Sequence, residues 1–62
     1  MRSEKETKQE ICRLFRLRES AQLDGDYTKA NYYLREIKHF ECLLGDPPDG
    51  SWAAYQRYLL AT

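Results

Sequence analysis

Every glycine and proline of this 62-residue chain falls in one of two short clusters, "DGD" at Asp24 to Asp26 and "GDPPDG" at Gly45 to Gly50. Glycine supplies the left-handed backbone that commonly closes a helix, and proline cannot sit inside one. The clusters therefore cut the chain into three breaker-free stretches, and those stretches can be little other than helices. Ser3 followed by Glu6 forms a capping box, so a first helix is predicted at about 4–23. Asp26 can cap a second at about 27–44, and residues 45–50 form a linker. Asp49 or Ser51 can cap a short third helix at about 52–60. A helix of that length does not hold in water alone, so it must dock on something.

Residues advance by about 100° around a helix. On the first helix Ile11, Leu14, Phe15 and Ala21 then share a face, with Leu17 on its flank and Arg18 inside it. On the second, Tyr27, Ala30, Tyr33, Leu34, Ile37, Phe40 and Leu44 share a face, with Glu41 inside it. The tight turn brings the two stripes together as an antiparallel hairpin. The expected fold is all-α: a single domain made of a helical hairpin with a short C-terminal helix.

Arg18 and Glu41 lie at different levels of that hairpin, too far apart to pair within one chain. One reading stacks Arg18 on a tyrosine and sets Glu41 against Lys8, with both charges at the seam's edge. The other is a two-fold dimer in which Arg18 of one copy meets Glu41 of the other and sets the register. A chain this short buries only about 60% of its unfolded surface, and small folds usually add a staple or a second copy. Two cysteines and one histidine provide neither a disulfide framework nor a zinc site. We therefore expect a homodimer, a helical bundle of two hairpins with the C-terminal helices as clasps.

Tyr32, Glu36, His39 and Leu43 recur at helical spacing on a second face of helix two, on the side of Leu17. Either the C-terminal helix packs there through Trp52, Tyr55, Tyr58 and Leu59, or the face is an interface with another copy or another protein. Trp and Tyr are enriched where proteins bind one another, and the two readings can hold together.

No catalytic or metal-binding pattern emerges. His39 has Glu36 and Cys42 three residues away on either side, a spacing any helix offers, and it reads as a structural or solvated histidine. Cys12 and Cys42 are offset by about one turn across the hairpin, which favours free thiols over a bridge. No apolar run is long enough to span a bilayer, and the charged start "MRSEKETKQE" lacks a signal-peptide core. No cofactor and no membrane partner are expected, and the location expected is the cytoplasm.

Ten Lys and Arg balance ten Asp and Glu, so the chain has no net pull toward nucleic acid. Arg2, Lys5, Gln9, Arg13, Arg16 and Ser20 do line the outer face of helix one, as phosphate-contacting residues would. Glu6, Glu10 and Glu19 border that stripe, and Glu10 with Arg13 makes an ordinary i,i+3 pair. A solvated face is the simpler reading, with nucleic-acid contacts by Arg2, Lys5, Arg13 and Arg16 as the alternative.

The run "GDYTKANYYL", Gly25 to Leu34, resembles the turn and second-helix start of a tetratricopeptide repeat, with alanine at the close helix contact. Helix one lacks the repeat's tryptophan and Leu-Gly pair, and no second copy follows, so the resemblance implies local geometry and, as an alternative function, a single adaptor hairpin. With its starting Met1, capped charged helices and high tyrosine content, the chain is also similar in style and size to the small helical accessory proteins of lambda-like temperate bacteriophages. That resemblance implies an early protein in the host cytoplasm that acts by binding host or phage proteins. The function expected is accordingly non-enzymatic: a regulatory or accessory protein that engages an unidentified protein partner. The residues expected to carry it are Leu17, Tyr32, Glu36, His39, Leu43, Trp52, Tyr55, Tyr58 and Leu59.

Overall fold

The computed structural model describes residues 3–61. It contains α1 (Glu4–Leu23), α2 (Tyr27–Leu43) and α3 (Trp52–Leu60). The expected helix bounds hold to within one residue. All three helices open with a side-chain cap: Ser3 accepts from the Glu6 N–H, Asp26 from Lys29 and Ser51 from Ala54. The first two close in the same way. Gly25 (φ 79°) donates to Gln22 O and Asp26 to Ala21 O, while Gly45 (φ 82°) donates to Cys42 O and Asp46 to Glu41 O. Each is a Schellman motif, and in each the glycine supplies the left-handed residue that an L side chain would strain.

α1 and α2 form the antiparallel hairpin, and α3 packs on α1. The twenty residues of α1 account for the 32 Å long axis. Ile11, Cys12, Leu14 and Phe15 of α1, Ile37 of α2, and Ala54 and Tyr58 of α3 form one buried cluster. Leu17, Tyr33, Phe40, Leu44 and Tyr55 pack around it. Near the turn the helix contact is made by small residues, Ala21 and Ala30, both buried. Tyr27 departs from its expected place in the seam and is 65% exposed. It is the first residue of α2, level with the end of α1, where Leu23 is itself exposed and no further layer covers it.

The two charges on the apolar faces are buried, not at the seam's edge: Glu41 is 0% exposed and Arg18 is 7%. They meet through the backbone of Gly50. Glu41 Oε1 accepts from Gly50 N at 2.9 Å and from Asp49 N at 3.2 Å, and Arg18 Nη1 donates to Gly50 O at 2.9 Å. The other Glu41 oxygen accepts from the Tyr58 hydroxyl at 3.2 Å, and that hydroxyl also lies 3.1 Å from Asp46 Oδ2. Arg18 stacks on Phe15 and Trp52, with its guanidinium carbon 5.1 and 5.3 Å from the ring centres, and not on a tyrosine. Lys8 pairs with Glu4 at 3.4 Å and not with Glu41.

These contacts hold the linker against the hairpin and tie α3 to both of its helices. Gly50 has φ 68°, and a Cβ there would lie 2.6 Å from Leu34 Cδ1, so only glycine fits without strain. Burial lowers the pKa of Arg18. Burial, reinforced by Asp46 and Glu41, holds the Tyr58 phenol well above its ordinary value of 10.0.

Two outcomes test this latch. Glu41→Ala removes the acceptor of the buried Gly50 N–H and the part-buried Asp49 N–H, takes one of two acceptors from the Tyr58 hydroxyl, and leaves Arg18 buried without a compensating charge, at a cost of about 3–5 kcal/mol. A chain of this size has a total stability of roughly 3–9 kcal/mol, so thermal melts should show Glu41→Ala largely unfolded. Glu41→Gln, which still accepts from the linker, should cost markedly less. In the second, a phenol with a raised folded-state pKa adds stability that is complete below its unfolded value and is lost as pH rises beyond it. Stability should therefore fall above pH 10 by up to about 1.4 kcal/mol per unit, and Tyr58→Phe should flatten that slope in melts recorded against pH.

Candidate protein-binding faces

Seating α3 on α1 decides which surfaces remain open. Of the two readings of the outer face of α2, cover by α3 is not what the structure has: α3 packs on α1. The physical reason is the latch: the linker folds back over Glu41 and Arg18, and Phe15 of α1 offers its ring to Trp52 at 5.8 Å and to Tyr55 at 5.0 Å. The Tyr58 hydroxyl of α3 donates to Glu41 of α2, and Ile37 shares the buried cluster with Ala54 and Tyr58.

The outer stripe of α2 is consequently open. Tyr32 is 57% and Leu43 65% exposed, His39 is exposed and Glu36 half-buried between them. Tyr32 rests edge-on against Tyr33 at 5.8 Å, and His39 against Phe40 at 5.6 Å. Both outer rings are thus braced by half-buried rings of the same helix, which limits the side-chain entropy a partner must remove. Below Leu43 the open end of the hairpin holds a shallow recess of about 290 Å³ lined by Glu4, Thr7, Leu43 and Leu44.

α3 carries the second open surface. Trp52, Tyr55 and Leu59 lie on one side of it, with Trp52 and Leu59 exposed and Tyr55 half-buried. Trp52 and Tyr55 meet edge-on at 5.6 Å. Tyr58 does not belong with them: it is 3% exposed, and its hydroxyl faces Glu41 and Asp46 inside the molecule. Position 58 lies with Ala54 on the buried side of a nine-residue helix, which the apolar pattern alone does not separate from the side of Trp52 and Leu59. Leu17 is half-buried against the core, on the flank of α1.

Arg18 and Glu41 are both engaged within one chain, through Gly50. The basic stripe is exposed at Lys5, Arg13 and Arg16, while Arg2 lies outside the described residues. Arg13 is held by Glu10, which offsets its charge. Among the described residues no group of His, Cys, Asp and Glu is arranged to hold a metal ion. Cys12 is buried and Cys42 exposed, both as free thiols, and burial raises the Cys12 pKa despite nearby Arg16. No described helix is long and apolar enough to cross a membrane.

The residues that the sequence reading missed are Asp46 and Gly50. They sit in the "GDPPDG" cluster, where a second glycine two residues past the prolines was the available signal that the linker needs a specific shape. No family model matches the chain, and no curated protein or solved structure matches it.

The contrast between the two cysteines provides a direct check on this surface. A thiol reagent at neutral pH should modify Cys42, at the border of the α2 stripe, in the native protein. Cys12 should react only as the chain unfolds, so mass spectrometry over time should show one fast and one slow adduct.

Proposed function

We propose that this protein is a non-enzymatic binding module, a small regulatory or accessory protein that works by engaging other proteins through the outer stripe of α2 and the outer edge of α3. The observation that carries the reading is the packing of α3 on α1, which leaves Tyr32 and Leu43 exposed on a helix whose opposite face is the core. Aromatic side chains held by neighbouring rings, beside exposed leucines, have the composition of a protein-binding surface and not of a catalytic one. The charge balance supports a protein partner over a polyanion. The similarity in style to phage accessory proteins suits the same reading. A nucleic-acid role through Lys5, Arg13 and Arg16 ranks below it, because Glu10 occupies Arg13.

The test is affinity capture from a lysate with three baits: the intact chain, Tyr32→Ala with Leu43→Ala, and Leu59→Ala. These positions are exposed, so each bait should keep its helical circular dichroism. Loss of a captured protein with either variant is the expected result. Equal recovery of every captured protein by three folded baits rejects both surfaces.

A further inference from the structure

The open stripe of α2 is symmetric in its chemistry. Tyr32, Glu36, His39 and Leu43 are spaced four, three and four residues apart, and they fall within about 60° of one another around the helix. That spacing reads the same from either end about a midpoint between Ile37 and Lys38. A second α2 laid antiparallel on the first, with a two-fold axis at that midpoint, sets Tyr32 opposite Leu43 and Glu36 opposite His39, and repeats both pairs on the other side of the axis. Such an isologous contact needs one self-complementary patch, and this stripe is one.

We propose that the outer stripe of α2 binds a second copy of the same chain in this antiparallel register. The inference rests on the reading of that stripe as a protein-binding face and names its occupant. Three features of the molecule favour a second copy over an unrelated helix. In this register the carboxylate of Glu36 faces the imidazole of His39, which can donate a hydrogen bond to it, so polar complementarity is built into a single sequence. The apolar groups lie at the two ends of the stripe, Tyr32 and Leu43, and each end finds the other's partner across the axis. The balance of ten basic and ten acidic residues lets two copies approach without mutual repulsion.

The register also differs from a pairing of Arg18 with Glu41 across two chains, since both are held by Gly50 within one. Arg35 flanks the stripe, and in the antiparallel pair it falls roughly 7–8 Å along the axis from its mate, inside the screening length of the solvent, so its repulsion is a cost that the pair carries. α3 is left outside the pair, with Trp52 and Leu59 still exposed for another protein.

One pair of helix faces is a small interface, so the dimer should form at roughly tens of micromolar. Sedimentation equilibrium from roughly 5 to 500 micromolar, near neutral pH and low salt, measures it. Four proteins are compared: the native chain, Glu36→Lys, His39→Glu, and the two changes together. His39→Glu sets carboxylate against carboxylate twice over and should weaken association about tenfold, and Glu36→Lys should weaken it by a similar factor. The double variant sets lysine against glutamate in the same register and should return to within about twofold of the native value or exceed it.

A native chain that stays monomeric throughout the range overturns the proposal, as does a dimer indifferent to the single changes or a double variant, folded by circular dichroism, that fails to recover. The capture experiment keeps the two readings apart. A monomer whose Tyr32→Ala, Leu43→Ala variant loses a captured protein removes the second copy and leaves the binding face standing. Equal capture by all baits removes the face as a site for other proteins, whatever the dimer does.

Discussion

The buried carboxylate of Glu41 organises this molecule. Its two oxygens collect the N–H groups of Asp49 and Gly50 and the hydroxyl of Tyr58, so a side chain on α2 ties down the linker and α3 together. Arg18 completes the arrangement from α1 by taking the carbonyl of Gly50. The two charges do not touch. They act on opposite polar groups of one glycine, and this polarised backbone bridges them. Taking both from water is expensive, and a pair of apolar residues could fill the space at lower cost. Arg18 Nε is even left buried without an acceptor, a further penalty of about 1–3 kcal/mol. The return is in placement: an apolar patch would accept a short amphipathic helix at several angles, whereas three directional hydrogen bonds accept one.

That placement explains how the same sequence can be both easy and hard to read. The breaker clusters, the side-chain caps and the helical spacing are local, and local physics sets them, so the three helices and the hairpin follow from the residues themselves. Ile11, Leu14, Phe15, Ala21 and Ile37 fall in the interior for the same reason, since the short turn leaves their faces no other neighbour. The docking of α3 is not local. It depends on a linker that turns back on itself, and a polar contact between Glu41 and a backbone group has no periodicity to betray it. Arg18 and Glu41 were visible as charges in apolar stripes, but their partner is a glycine amide and carbonyl, which every residue type possesses. Tyr58 was misplaced because a short amphipathic helix with rings on two sides can be docked either way until its polar tip is given a partner.

The candidate surfaces follow from the same cause. If α3 lay over Tyr32 and Leu43, the chain would resemble a closed three-helix bundle with little apolar surface to offer. By drawing α3 onto α1, the latch closes one side of the hairpin with Phe15, Trp52 and Tyr55 and leaves the other side uncovered. The exposed stripe is thus a consequence of a specific buried polar contact and not of an incomplete core. Stability and exposure are linked here, because a chain of this size loses the area that a third helix on α2 would have covered.

Exposed apolar side chains on one helix face are a surface through which the proposed partner can be held. The distribution of charge on α2 bears on which partner that is. A purely apolar stripe would pair with any comparable surface, in any register, and favour aggregation. Glu36 and His39 interrupt the stripe at its middle, where a slipped partner would leave them against Tyr32 or Leu43 and strip their hydration without return, and a parallel one would set Glu36 against Glu36. In the proposed antiparallel pair the central polar groups would cost affinity and select geometry, by the same logic that the buried latch follows inside the chain. Inside the chain the polar group set within apolar surroundings admits one arrangement, and the proposed pair would use the same device at its surface.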